Sequence, residues 1–204
     1  HMLIAPTHSG KSTMTRSILR DIVFNNPDKR ILIWLTEESV DEFKEDFYEG
    51  APAGEIFKNV KISSQVGVED DAEKVKKQIE EIIEHYNIDL VICDNITTSN
   101  ELYQDVSVGT QSKTTTWFKK LTKITTVFVI AHTNTSDFNT RLLDENDVRG
   151  GKTISNISQF LYVLQPISVN ESLFQFILIK KHRGQKVENK FFRLSYDKIT
   201  MSFA

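Results

Sequence analysis

Apolar and polar positions follow two rhythms along this chain, and each predicts a different kind of element. Met2–Ala5, Ile31–Leu35, Ile88–Cys93 and Val127–Ala131 are short, largely apolar runs. Such runs read as strands buried on both faces. Between them the apolar residues are spaced for helices. Met14, Ile18, Leu19, Ile22 and Val23 share one helical face, and Asn25-Asn26-Pro27-Asp28 ends that helix. Ser39 and Glu42 have capping-box spacing at the start of a stripe of Val40, Phe43 and Phe47. Gly50 to Gly54 is a turn-rich break, and Val60 to Ile62 reads as a short strand. Val75, Ile79, Ile82, Ile83 and Tyr86 mark another amphipathic helix, with a solvated Glu/Lys face. A helix is expected over Thr114–Lys123, carrying Trp117, Phe118 and Leu121.

The rhythm then changes. His132 to Lys152 is a long polar stretch with little periodicity, and loops of that length are usually functional or mobile. Beyond it, Phe160–Leu164, Phe174–Lys180, Phe191–Ser195 and Ile199–Phe203 all read as strands, the last two joined in a hairpin at Tyr196-Asp197-Lys198. Strand–helix alternation followed by several strands predicts an α/β fold. Its central sheet is mostly parallel and flanked by helices, with an antiparallel extension at the C-terminal end.

Composition narrows the class. The chain has 204 residues, enough for one domain, and a formal net charge of −3, which argues against a generally basic nucleic-acid binder. No apolar run approaches the ~18 residues that suggest a membrane span. The single cysteine, Cys93, rules out an intramolecular disulfide, and an intracellular setting fits best. His1-Met2 resembles the remnant of an expression tag, and the short first strand suggests a piece of a longer protein.

The chemistry-bearing residues cluster where strands end. Ala5-Pro6-Thr7-His8-Ser9-Gly10-Lys11-Ser12-Thr13 lies between a strand and a helix, the context a phosphate-binding loop needs. Its backbone N–H groups and the helix N-terminus attract phosphate oxygens. Lys11 would reach the terminal phosphates and Ser12 would place its hydroxyl on Mg²⁺. Ala5 stands where the usual pattern has glycine, a place where a small residue suffices. Asp94 closes an apolar strand and is either a Mg²⁺ ligand or a turn cap. Glu37 and Glu38 close another. One can activate an attacking water and the other can favour the next helix through its dipole. Glu38 is nearer that helix, so Glu37 is the candidate for chemistry. His132 is either a γ-phosphate contact or a structural histidine. Lys180-Lys181-His182-Arg183-Gly184 is either a solvated basic turn or a set of cations for a neighbouring subunit's phosphate.

Taken together, these motifs resemble a RecA-type ATPase core, and within that group the DnaB-type hexameric replicative helicases. The resemblance rests on "LIAPTHSGKST", "ILIWLTEES", "LVICDNI" and "VIAHTN…DVRGGKTISNISQFLYVL" with "FILIKKHRGQ". It implies Glu37 as catalytic base and His132 as sensor. It implies that Lys181 and Arg183 act in trans on ATP at an interface of a homo-oligomer, a hexamer. It also implies that the loops after Asp94 and His132 face a channel for single-stranded DNA, offering Lys113 in one and Arg141, Arg149 and Lys152 in the other. ATP and Mg²⁺ are the implied cofactors, and the cytoplasm, of a bacterium or of a phage's host, is the implied setting. Asp137, Asp144, Glu145 and Asp147 share the second loop with those few cations. Other readings stay open: a recombination-mediator or regulatory ATPase without unwinding activity, or a non-hydrolysing nucleotide-dependent interaction module.

Overall fold

Strands that are apolar throughout must be covered on both faces, and the structure meets that demand with parallel pairing and helical crossovers. The computed structural model describes residues 1–7, 9–48, 57–66, 71–96, 108–134, 141–149, 156–167, 173–180, 186–197 and 202–203. Among them are nine strands and four helices. The strands are β1 (Met2–Ala5), β2 (Ile31–Leu35), β3 (Val60–Ser64), β4 (Leu90–Asp94), β5 (Thr126–His132), β6 (Leu161–Pro166), β7 (Leu173–Lys180), β8 (Lys186–Asp197) and β9 (Ser202–Phe203). The helices are α1 (Lys11–Asn25), α2 (Val40–Tyr48), α3 (Ala72–Tyr86) and α4 (Val108–Leu121). This is the α/β class expected. The chain folds as two units, residues 19–129 and residues 1–18 with 130–204.

In the 19–129 unit, β2 lies between β3 and β4, and β4 pairs in turn with β5, all in parallel. Register sets Leu35 beside both Ser64 and Asp94. Every residue of β2 is buried, as are Val91, Ile92 and Cys93 of β4. Trp34 of β2 meets Trp117 of α4 edge-on at 6.1 Å, and the Trp117 indole N–H donates to Glu80 at 2.7 Å. The expected box at α2 is formed. Glu42 N donates to Ser39 Oγ (3.2 Å) while Glu42 Oε2 accepts from Ser39 N (2.8 Å). Helix α3 starts on Asp71, whose side chain accepts from Lys74 N, and stops on Asn87 in the left-handed region at φ 50°.

In the other unit, β1 pairs in parallel with β6, and β6, β7, β8 and β9 continue antiparallel. The antiparallel extension is therefore present, with two adjustments. Tyr196 and Asp197 belong to β8, paired with Phe203 and Ser202, so the hairpin connection falls beyond them. Helix α4 begins at Val108, earlier than periodicity indicates, because its first turns carry Gly109 and a Thr-rich run with no apolar stripe. No described helix is long and apolar enough to cross a membrane.

Cys93 is fully buried, and burial, followed by the Asp94 charge, raises its thiol pKa well above the ordinary value. The folded protein should therefore resist thiol alkylation until it unfolds globally. Ile33→Ala, in the middle of buried β2, should cost about 2–5 kcal/mol. In a denaturant titration it should bring Cys93 labelling and loss of tryptophan signal to the same lower midpoint. Rapid labelling without denaturant would contradict the packing of β4.

Candidate active site at the strand ends

The phosphate-loop candidate is wound around one carbonyl. Pro6 O accepts from Ser9 Oγ at 2.6 Å and from Lys11 Nζ at 2.7 Å. Gly10 follows with φ 77°, a left-handed conformation that glycine adopts without penalty. Its carbonyl then accepts the first helical bond, from Met14 N at 2.9 Å. Thr15 Oγ1 donates to Lys11 O, binding the first turn to itself. Ala5 is completely buried, so the position expected to hold glycine takes a methyl group inside the core. Ser9 and Lys11 are buried, Ser12 and Thr13 half-buried, and Thr7 exposed. His8 lies outside the described residues. The first turn of α1 contains no acidic residue, so its N–H groups and positive dipole end meet no carboxylate of that turn. The N–H groups at the start of α1, a buried ammonium and a half-buried serine hydroxyl fit a polyphosphate with its cation.

The acidic residues belong to the 19–129 unit, and Thr36 organises them. Thr36 N donates to Asp94 O at 2.9 Å. Its hydroxyl donates to Asn95 O and accepts from Asn95 N at 2.9 Å. These bonds tie the carboxyl ends of β2 and β4 one residue past the Leu35/Asp94 register. Asp94 is buried at 5% exposure, while Glu37 emerges into solvent one residue after Thr36. Glu38 is half-buried, and its carbonyl accepts from Ser64 Oγ at 2.7 Å, which holds the turn against β3. The cap of α2 is made by Ser39 and Glu42.

His132, the last residue of β5, belongs to the unit that contains the phosphate loop, and it is buried. Directly after it, Thr133 N donates to Ala5 O at 3.1 Å. On its other side Thr133 forms an antiparallel bridge with Val148. Two bonds flank the bridge, from Asn134 N to Asp147 O at 2.8 Å and from Arg149 N to His132 O at 2.9 Å. The polar stretch expected to be irregular is thus anchored over 141–149, with Leu143, Asp147 and Val148 all buried. Arg141, a candidate nucleic-acid contact, donates Nη1 to Asp147 Oδ2 at 2.8 Å and Nη2 to the other oxygen of that carboxylate. Arg149 is exposed, and so is Lys113 on α4. Lys152, Lys181 and Arg183 lie outside the described residues. Sequence reasoning missed Thr36, the anchoring role of Asp147 and Gln165. Thr36 alone left a trace, as a hydroxyl residue between an apolar strand and two acids.

Comparison with known proteins agrees with this architecture. A protein-family model described as "ATPase: KaiC" matches residues 36–200, well over half of the chain. The span starts after the phosphate loop, so the loop geometry is separate support. No curated protein matches the chain.

The Arg141 guanidinium, then the Asp144 N–H, hold the Asp147 carboxyl below its ordinary pKa, while burial opposes them. The native state therefore favours the charged form. Its contribution to stability is present above the ordinary aspartate range and is lost as pH falls through the lowered value. Acid unfolding of Asp147→Asn should show a correspondingly weaker dependence on pH below about 4 than that of the parent chain. Identical acid limbs for the two proteins would show that the pair makes no such contribution.

Proposed function

The chain belongs to the KaiC-type ATPase family, and on that premise we propose that it is the ATP-hydrolysing motor domain of a ring-forming, DnaB-like helicase acting on single-stranded DNA. The observation that carries the nucleotide part is the loop itself, with left-handed Gly10, buried Lys11 and an α1 first turn without acids. The loop backbone from Thr7 to Thr13 and Lys11 bind and orient the phosphates of ATP, with Ala5 and Pro6 setting the strand exit. Ser12 and Asp94 hold Mg²⁺, which when bound neutralises phosphate charge. Glu37, exposed at the end of β2, orients and deprotonates the attacking water. His132 contacts the γ-phosphate. Lys181 and Arg183, which come after β7 in the sequence, reach the ATP of the neighbouring copy in a hexamer and stabilise charge on the transferring group. Lys113, Arg149 and Lys152 contact the DNA backbone.

A second reading keeps the ATPase and drops unwinding: a regulatory RecA-like ATPase. Two observations favour it. The net charge is −3, and Arg141 is engaged with Asp147.

Steady-state ATP hydrolysis with and without single-stranded DNA at low salt separates the two readings, since phosphate contacts weaken steeply with salt. The motor reading expects a several-fold increase with DNA that fades as salt rises. Basal hydrolysis indifferent to DNA at every salt concentration supports the regulatory ATPase instead.

Two substitutions test the site. Glu37→Gln should lower turnover by about 10²–10⁴-fold while ATP affinity, measured by calorimetry, stays within a few-fold. Lys11→Ala should abolish hydrolysis and weaken ATP binding as well. Normal turnover in Glu37→Gln would remove Glu37 from the reaction and reopen the non-hydrolysing module.

A further inference from the structure

The described residues just after β5 are tied to the strand that enters the phosphate loop. Ala5, the last residue of β1, accepts from Thr133 N, and Thr133 faces Val148 across a two-bond antiparallel bridge. Residues 132–134 and 147–149 are therefore hydrogen-bonded to each other beside the strand that enters the loop.

Side chains lock this arrangement. Asp147 is buried, and its carboxylate takes both Nη atoms of Arg141 and the Asp144 N–H, the latter at 2.8 Å. Its backbone carbonyl takes Asn134 N, and the Asn134 amide donates to Val148 O at 3.2 Å. Gln165 of β6, buried at 5% exposure, clamps the same segment. It accepts from Leu143 N at 3.1 Å and donates to Arg141 O at 2.8 Å. A bidentate guanidinium–carboxylate pair fixes orientation as well as distance. Here it fixes the orientation of the segment whose amide, Arg149 N–H, holds the His132 carbonyl.

We infer that the Arg141–Asp147 pair, with Gln165, is a positioning staple that sets the His132 end of β5 against the phosphate-loop strand, and that Arg141 is spent on this role rather than on nucleic acid. The inference rests on the nucleotide-site reading above. β1 and β5 are neighbours in the sheet, and the Thr133 N–H to Ala5 O bond and the Val148 bridge continue that connection past His132. The staple makes this continuation rigid. Asp147 touches no reacting atom in this scheme and acts through His132.

The test uses the full chain and its Arg141→Ala, Asp147→Asn and double variants. The first readout is amide hydrogen exchange at Asn134, Leu143, Asp144 and Arg149, with and without MgATP. The second is ATP turnover as separate kcat and KM values, with and without single-stranded DNA. The expected result has three parts. The parent shows nucleotide-dependent protection at these amides, and each variant loses it, exchanging about tenfold faster or more. Each single variant lowers kcat by about tenfold with KM within twofold, since misplacing a site group costs rate. The double variant is no worse than either single one, because both remove the same contact.

Parent protein without nucleotide-dependent protection at these amides overturns the inference, as do variants that exchange faster yet hydrolyse like the parent. An Arg141→Ala that loses only DNA stimulation, beside a normal Asp147→Asn, also overturns it and places Arg141 on DNA. A parent that binds MgATP but does not hydrolyse it sinks the ATPase reading alone. The exchange data on the bound state still decide whether the staple exists.

Discussion

A strand buried on both faces can afford polarity only at its ends, and the chemistry of this chain is arranged by that constraint. β2 is buried over its whole length, so its first available carboxylates are Glu37 and Glu38, just past Leu35. β4 runs through Val91, Ile92 and Cys93 before it reaches Asp94. β5 passes through Ile130 and Ala131 before His132, and β1 is apolar up to the loop that begins at Pro6. An ionised group placed mid-strand would meet a desolvation cost with no partner. Parallel pairing, which needs helices over both faces, therefore sorts candidate groups to strand termini without any selection for chemistry at the interior positions.

Strand ends carry their own cost, because the ladder stops and backbone groups lose their partners. The structure meets this with small polar side chains that close each end. Thr36 supplies a backbone donor to Asp94 O and a hydroxyl that serves both the N–H and the carbonyl of Asn95. Pro6 O, at the end of β1, is satisfied by Ser9 and Lys11. The end of β5 is taken up by Arg149 N and Thr133. Each closure also fixes the residue beside it. Asp94 is held by its backbone, Lys11 by its side chain, and His132 by its carbonyl. Rigid supports of this kind let a site act without reorganising its own dipoles.

Much of this was legible from the sequence where the signal is local. Apolar runs located β1, β2, β4 and β5 to within a residue or two, and Ser39 with Glu42 announced a capping box that the structure contains. Legibility failed where the signal is long-range. The 141–149 segment has too few apolar residues to show a period, since only Leu143 and Val148 are buried ones. What anchors it is Gln165, more than twenty positions downstream, and a bridge to Thr133. Nothing in a run such as Asp144-Glu145-Asn146-Asp147 distinguishes the acid that will be buried from those that stay wet. The start of α4 was missed for the reverse reason: Gly109 and the threonines are poor helix formers, and the helix extends through them regardless.

The same segment also shows how charge bears on function. Counted by residue type, the acids near Asp147 oppose any phosphate backbone that approaches the loop. Counted by contact, Asp147 is the acid matched by a cation among the described residues of this segment. Asp147 has its two oxygens occupied by Arg141 and the Asp144 N–H, and Asp144 takes both the backbone and amide nitrogens of Asn146 at 2.7 and 2.8 Å. A closed Arg–Asp pair acts at a distance as a dipole rather than as two charges, whereas neutral N–H donors leave the Asp144 charge in place. Arg149 is exposed at the end of the same segment, which it shares with the half-buried Asp144 and Glu145. The pairing leaves the net charge of this loop where it was, because it cancels Arg141 along with Asp147, and formal charge keeps its weight in the choice between the two readings.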